Sequence, residues 1–129
     1  MNDDELIAEA RAAAERAYAP YSRFRVGAVA VTADGRDFAG VNVENSAFGA
    51  TICAEANAIS TAAAAGARKI DTVAVACIDA DRAGYPCGNC RQIMHEFRVD
   101  RVLVDGPEGT VEHRLEELLP HGFRLAESE

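Results

Sequence analysis

Two short stretches of the sequence carry residue types that can do chemistry. One is Cys53-Ala54-Glu55. The other, which begins 31 residues after Glu55, is Pro86-Cys87-Gly88-Asn89-Cys90. A lone Cys-x-x-Cys marks a structural zinc or a redox pair as readily as a catalytic centre, so the information lies in the combination. Cys53, Cys87 and Cys90 make three thiolate ligands, and three protein ligands leave one vertex of a tetrahedral Zn2+ open, as in catalytic rather than structural sites. Water takes that vertex, and zinc lowers its pKa towards ~7 when the ligands are neutral. Three thiolates make the site negative and weaken that effect, so the helix ends and Arg91 are the candidates to offset the charge. Glu55, beside the metal without binding it, suits a proton carrier between water and substrate.

Competing readings exist for each residue. Cys77 would close the tetrahedron as a fourth thiolate and turn the centre structural. It lies in the apolar run Val73-Ala74-Val75-Ala76-Cys77-Ile78, where it reads as a small core residue. A redox Cys-x-x-Cys is the other option for the second stretch. A glutamate in a helix's first turn usually serves only the helix dipole, and it is the place of Glu55 two residues after a ligand that changes its reading.

The elements around these residues explain how they could converge. Each cysteine stretch falls where a helix should begin, over residues 53–65 and 87–97. Backbone N–H groups there are unpaired and carry about half a positive charge, which stabilises thiolates. Cys53 and Glu55 lie about 200° apart on an ideal helix and share a site only if they sit in its open first turn. Apolar residues at helical spacing predict an opening helix over 3–17, broken by Tyr18-Ala19-Pro20-Tyr21-Ser22. Strands are predicted over 24–32 and 37–43 across the turn Ala33-Asp34-Gly35-Arg36, then over 72–78 and 101–104, with a further one at 110–112. A loop over 44–52 leads into the first cysteine helix, Gly66 ends that helix, and a last helical turn lies at 115–119. Two antiparallel strands followed by alternating helix and strand predict an α/β mixed sheet covered by helices on both faces, in one domain over 1–129.

Composition narrows the partners. Apolar residues make up 49% of the 129, but only 6% of residues are aromatic and much of the remainder is alanine. Alanine buries little area, at ~25 cal/mol per Å2, so a metal, a subunit contact or both should contribute to stability. The formal charge is -8, with one lysine and no basic run, which argues against a nucleic-acid partner and for a small uncharged substrate. No stretch nears the ~20 apolar residues of a membrane span, and the acidic start Met1-Asn2-Asp3-Asp4-Glu5 is unlike a secretory signal, so the expected compartment is the cytoplasm. In that compartment cysteines point to metal or catalysis before disulfides.

With its Cys-Ala-Glu and Pro-Cys-x-x-Cys stretches the chain resembles the cytidine deaminase family, in particular its short, homotetrameric, three-cysteine branch. The resemblance runs from Tyr18-Ala19-Pro20-Tyr21-Ser22-Arg23-Phe24 through Val41-Asn42-Val43-Glu44-Asn45 to Leu118-Leu119-Pro120. It implies a mixed five-stranded sheet between helices and a zinc-dependent hydrolysis of cytidine or 2′-deoxycytidine to the uridine product and ammonia, in pyrimidine salvage. Cys53, Cys87 and Cys90 match the zinc ligands and Glu55 the proton shuttle. Asn42 and Glu44 match residues that grip the ribose hydroxyls, and Phe24 matches an aromatic against the base, which the Ala54 backbone also approaches. Phe123 resembles the aromatic that stacks in a neighbouring subunit's site, and Phe48 stands near the subunit contact.

Two positions depart from the family pattern. Ala56 replaces an arginine often found after Cys-Ala-Glu, which leaves more of the charge compensation to Arg91 and implies a less acidic catalytic water. Phe48 replaces a tyrosine and removes a hydroxyl, which touches substrate preference rather than the chemistry. The rival substrate is another aminopyrimidine nucleoside such as blasticidin S, whose deaminases the Pro86–Gln92 stretch also resembles; the intact Asn42-Val43-Glu44-Asn45 favours an ordinary ribose. Two rival functions remain: a non-catalytic zinc-stabilised interaction module and an editor of polynucleotides.

Overall fold

The stretches 26–31, 73–77 and 102–104 read as apolar runs because both faces of the sheet are covered at its centre. In the computed structural model, which describes residues 1–125, the order is α1 (Asp3–Ala14), β1 (Val26–Thr32), β2 (Asp37–Val41), a 3-10 turn (Phe48–Ala50), α2 (Ala54–Ala64), β3 (Ile70–Cys77), α3 (Gly88–Glu96), β4 (Arg101–Gly106), β5 (Gly109–Arg114) and the short α4 (Leu115–Leu118). The strands form one five-stranded sheet in the order β2-β1-β3-β4-β5. Only β3 and β4 run parallel, because α3 carries the chain back between them; the other neighbours are antiparallel. This is the mixed, helix-covered sheet that the sequence implies.

The pleat sends alternate residues to opposite faces. Ala28, Ala30, Val73, Val75, Val102 and Val104 pack with α2 and α3 through Ala54, Ala58, Ile59, Ala62 and Met94. Their neighbours Val29, Ala74, Ala76 and Leu103 face the other way, against Leu6, Ile7 and Ala10 of α1. Both helices approach closely because glycine stands beneath them. A Cβ on Gly40 would lie 2.4 Å from the Ala58 nitrogen of α2, and one on Gly27 would lie 1.9 Å from the Ala10 oxygen of α1.

Element ends differ from expectation where side chains or cross-links claim the backbone. α1 opens on an Asn2–Glu5 capping box and stops at Ala14 rather than 17, since the Tyr18 N–H bonds the Asn42 carbonyl and Tyr18 bridges Val43. β1 begins at Val26 rather than 24, because the Asn42 side chain takes the Phe24 carbonyl and the Val26 N–H. β2 ends at Val41, and Val43 leaves it to pair with Ile52. Among the described residues no helix is long and apolar enough to cross a membrane.

Candidate active site

Cys53 and Cys87 are the N-cap residues of α2 and α3. Both have extended backbone, at φ -73°, ψ 153° and φ -71°, ψ 170°, and neither side chain caps its own helix. Their sulfurs are therefore free to lean over the helix openings, where unpaired N–H groups bring partial positive charge. Cys90 follows in the first turn of α3. The three sulfurs lie within 4.8 Å of one another, and among the described residues Cys77 is not in that group.

Burial acts on the same groups. It raises the Cys53 thiol, with the charges of Cys87 and Glu55 adding to the effect and a Cys90 hydrogen bond opposing it. It pushes Cys90 far above the ordinary thiol value, reinforced by Glu55, Cys53 and Cys87. At Cys53 and Cys90 desolvation and the neighbouring negative groups act against the thiolates that the helix ends favour. Glu55 is 5% exposed, and its burial raises the carboxyl, against hydrogen bonds from its own backbone and from Cys90. A cation among the three sulfurs would take the place of their protons, and that donor set, one ligand short of a tetrahedron, fits Zn2+.

A cavity of about 270 Å3 opens on this centre, lined by Asn42, Thr51, Cys53, Glu55, Cys77 and Tyr85 among others. Ala54, completely buried, also borders it. Cys77 corrects an expectation: it is not a core residue but a partly exposed one at the end of β3, on the cavity wall and outside the sulfur group.

Arg91 donates Nε to the Pro86 carbonyl and Nη1 to the Leu118 carbonyl, both at 2.8 Å. It thereby ties the second cysteine loop to α4. Asn42, only 8% exposed, donates Nδ2 to the Phe24 carbonyl at 2.8 Å and accepts the Val26 N–H at 2.9 Å. One amide N–H and one carbonyl lone pair remain for a ligand. Glu44 accepts the Tyr21 and Ser22 N–H groups and the Ser22 hydroxyl, and the Ser22 bonds hold its carboxylate below its usual range. It borders a second cavity with Tyr21, Ser22, Phe48 and Thr51, and Thr51 lines both.

The three phenylalanines stand apart from the metal cavity in a single chain. Phe24 is 51%, Phe48 78% and Phe123 65% exposed. Phe48 meets Tyr21 edge-on at 6.1 Å, and the Phe123 carbonyl accepts Gln92 Nε2. Tyr85 was not singled out from the sequence. Its place directly before Pro86-Cys87 was the available signal, but a loop aromatic gains meaning only once its neighbours in space are known.

The family model for the cytidine and deoxycytidylate deaminase zinc-binding region matches residues 1–105. A cytidine deaminase of Mycobacterium tuberculosis is 41% identical over 121 residues, 93% of this chain and 88% of that one. One from Halalkalibacterium halodurans is 40% identical over 126 residues, 95% of each. Among solved structures, the cytidine deaminase from Burkholderia pseudomallei superposes with a TM-score of 0.88 at 40% identity, covering 95% of this chain and all of that one.

Proposed function

The chain belongs to the cytidine and deoxycytidylate deaminase family and is a zinc-dependent cytidine deaminase, and on that premise we propose how its own residues divide the work. Cys53, Cys87 and Cys90 hold the zinc. A zinc ion held there would supply the activated water that the attack on C4 of the cytosine ring needs.

Glu55 takes one proton from the attacking water and passes it to N3 of the ring; it then takes that water's second proton from the new C4 hydroxyl and delivers it to the amine, so that C4 becomes a carbonyl as the C–N bond breaks and ammonia leaves. Its burial suits this, since desolvation raises the carboxyl above its ordinary value, so that it holds a proton more readily than an exposed glutamate before passing it on. The Ala54 backbone borders the base. Asn42 and Glu44 receive the ribose hydroxyls; both are pre-oriented by their backbone partners, so a sugar lacking a hydroxyl leaves a polar group unpaired. Phe24 flanks the base, and Arg91 acts on the thiolates mainly by fixing the loop that carries them.

We further propose that the chain is one catalytic domain acting in the cytoplasm in pyrimidine salvage, and that it works as a homotetramer. The support for assembly is the exposure of Phe48, Ile52 and Phe123, large apolar residues near the site opening or after α4. In the tetramer Phe48 and Phe123 reach a neighbouring subunit's site.

The observation that carries the mechanism is a buried carboxyl in the same cavity as a thiol group one ligand short of a tetrahedron. The test combines zinc content with an ultraviolet assay on cytidine. Glu55→Gln keeps one zinc per chain and loses roughly 100- to 10,000-fold or more in turnover; retained turnover overturns the assignment of Glu55.

A further inference from the structure

Tyr85 stands on the cavity wall beside Cys53, Glu55, Cys87 and Cys90. Its hydroxyl forms a 2.8 Å hydrogen bond with Nε2 of His113, and the two rings meet edge-on with centroids 5.3 Å apart. His113 belongs to β5, the edge strand, opposite Val102 of β4, and touches neither the sulfurs nor the cavity. The loop between β3 and α3 is held at its two ends, by Arg25 on Asp79 and by Arg91 on the Pro86 carbonyl, and has few ties between them. Among the described residues, the stretch 81–85 makes no backbone hydrogen bond, and the Tyr85–His113 bond is its only side-chain one. A half-exposed tyrosine on such a loop would sample several rotamers, each changing the shape of the cavity mouth. Tied to a strand of the sheet, it keeps one.

We propose that His113 is a positioning residue that, through the Tyr85 hydroxyl, fixes the ring wall of the nucleoside cavity and so sets substrate affinity. The inference rests on the cavity being the nucleoside site. It concerns binding: Tyr85 and His113 neither carry nor receive the protons that Glu55 moves, so the loss of their bond should weaken ground and transition states alike and appear in KM rather than kcat. Because both residues act through one bond, removing either removes the whole effect.

The test uses the zinc-loaded full chain. Tyr85→Phe keeps the ring and removes the hydroxyl; His113→Phe keeps the ring volume and removes the partner; His113→Gln places an amide near the Nε2 position and should rescue. Each phenylalanine variant is expected to raise KM for cytidine about three- to tenfold, with kcat and zinc content unchanged. The double variant should be no worse than either single one. Unchanged KM in Tyr85→Phe, multiplied effects in the double variant, or a fall in kcat with KM intact would overturn the proposal. A wild-type chain that binds zinc but does not turn over cytidine defeats the underlying function instead, and this inference with it; an active wild type with unaffected variants defeats the inference alone.

Discussion

Gly40→Ala tests whether the metal centre depends on how closely α2 lies on the sheet. The new Cβ would stand 2.4 Å from the Ala58 nitrogen and 2.7 Å from the Ala54 oxygen, both backbone atoms. Carbon needs about 3.5 Å there, so α2 must retreat by roughly 1 Å. Cys53 caps α2 whereas Cys87 and Cys90 belong to α3 and its cap, so the retreat moves one ligand relative to two. Zn–S bonds of about 2.3 Å at tetrahedral angles place the sulfurs about 3.8 Å apart, with a tolerance of about 0.2 Å. The sulfurs lie within 4.8 Å, and a displacement of Cys53 by about 1 Å exceeds what the bonds absorb. The expected result is a ~10–100-fold loss of zinc affinity by competition with a chromogenic chelator, with a stability loss of ~1–3 kcal/mol by urea titration. Gly27→Ala is the control. Its Cβ would stand 1.9 Å from the Ala10 oxygen, under α1 on the opposite face. It should destabilise at least as much while leaving zinc affinity within about twofold. Gly40→Ala binding zinc as tightly as the wild type, or Gly27→Ala losing zinc equally, refutes the reasoning.

Three other outcomes follow from particular contacts. Asp79 receives the Arg25 guanidinium on both oxygens and its backbone N–H, which lowers its pKa from 3.8 to about 2. Its stabilisation is therefore complete above pH ~4 and lost as pH falls towards ~2, so Asp79→Asn should flatten the acid limb of a stability curve in that window; an unchanged limb counts against the pair. Asn42→Ala strands the Phe24 carbonyl and Val26 N–H and should cost ~1–3 kcal/mol in denaturant even without substrate; loss of affinity with no loss of stability would contradict the double role. If Phe123 completes a neighbour's site, mixing inactive Glu55→Gln with a weakened Phe123→Ala protein should raise activity above the sum of the two through hybrid tetramers, and no gain after verified subunit exchange removes that role.

Much of the site was legible because its residues are local. Cys53 and Glu55 are two apart, and Cys87 and Cys90 three, so each pair shares one helix start whatever the rest of the fold does. The apolar runs showed sheet and helices for a similar reason, since the alternation of Val73 and Val75 with Ala74 and Ala76 is a property of the strand itself. Element ends were less legible: whether β1 starts at Phe24 or Val26 depends on Asn42, 16 residues beyond Val26, and no local propensity registers such a bond. What only the tertiary structure decided was the convergence of α2 and α3 on one point, the side of β3 to which Cys77 turns, and the hold of His113 on Tyr85. Each depends on groups far apart in the chain, brought together by a sheet order and two glycine-floored contacts that no short window of residues encodes.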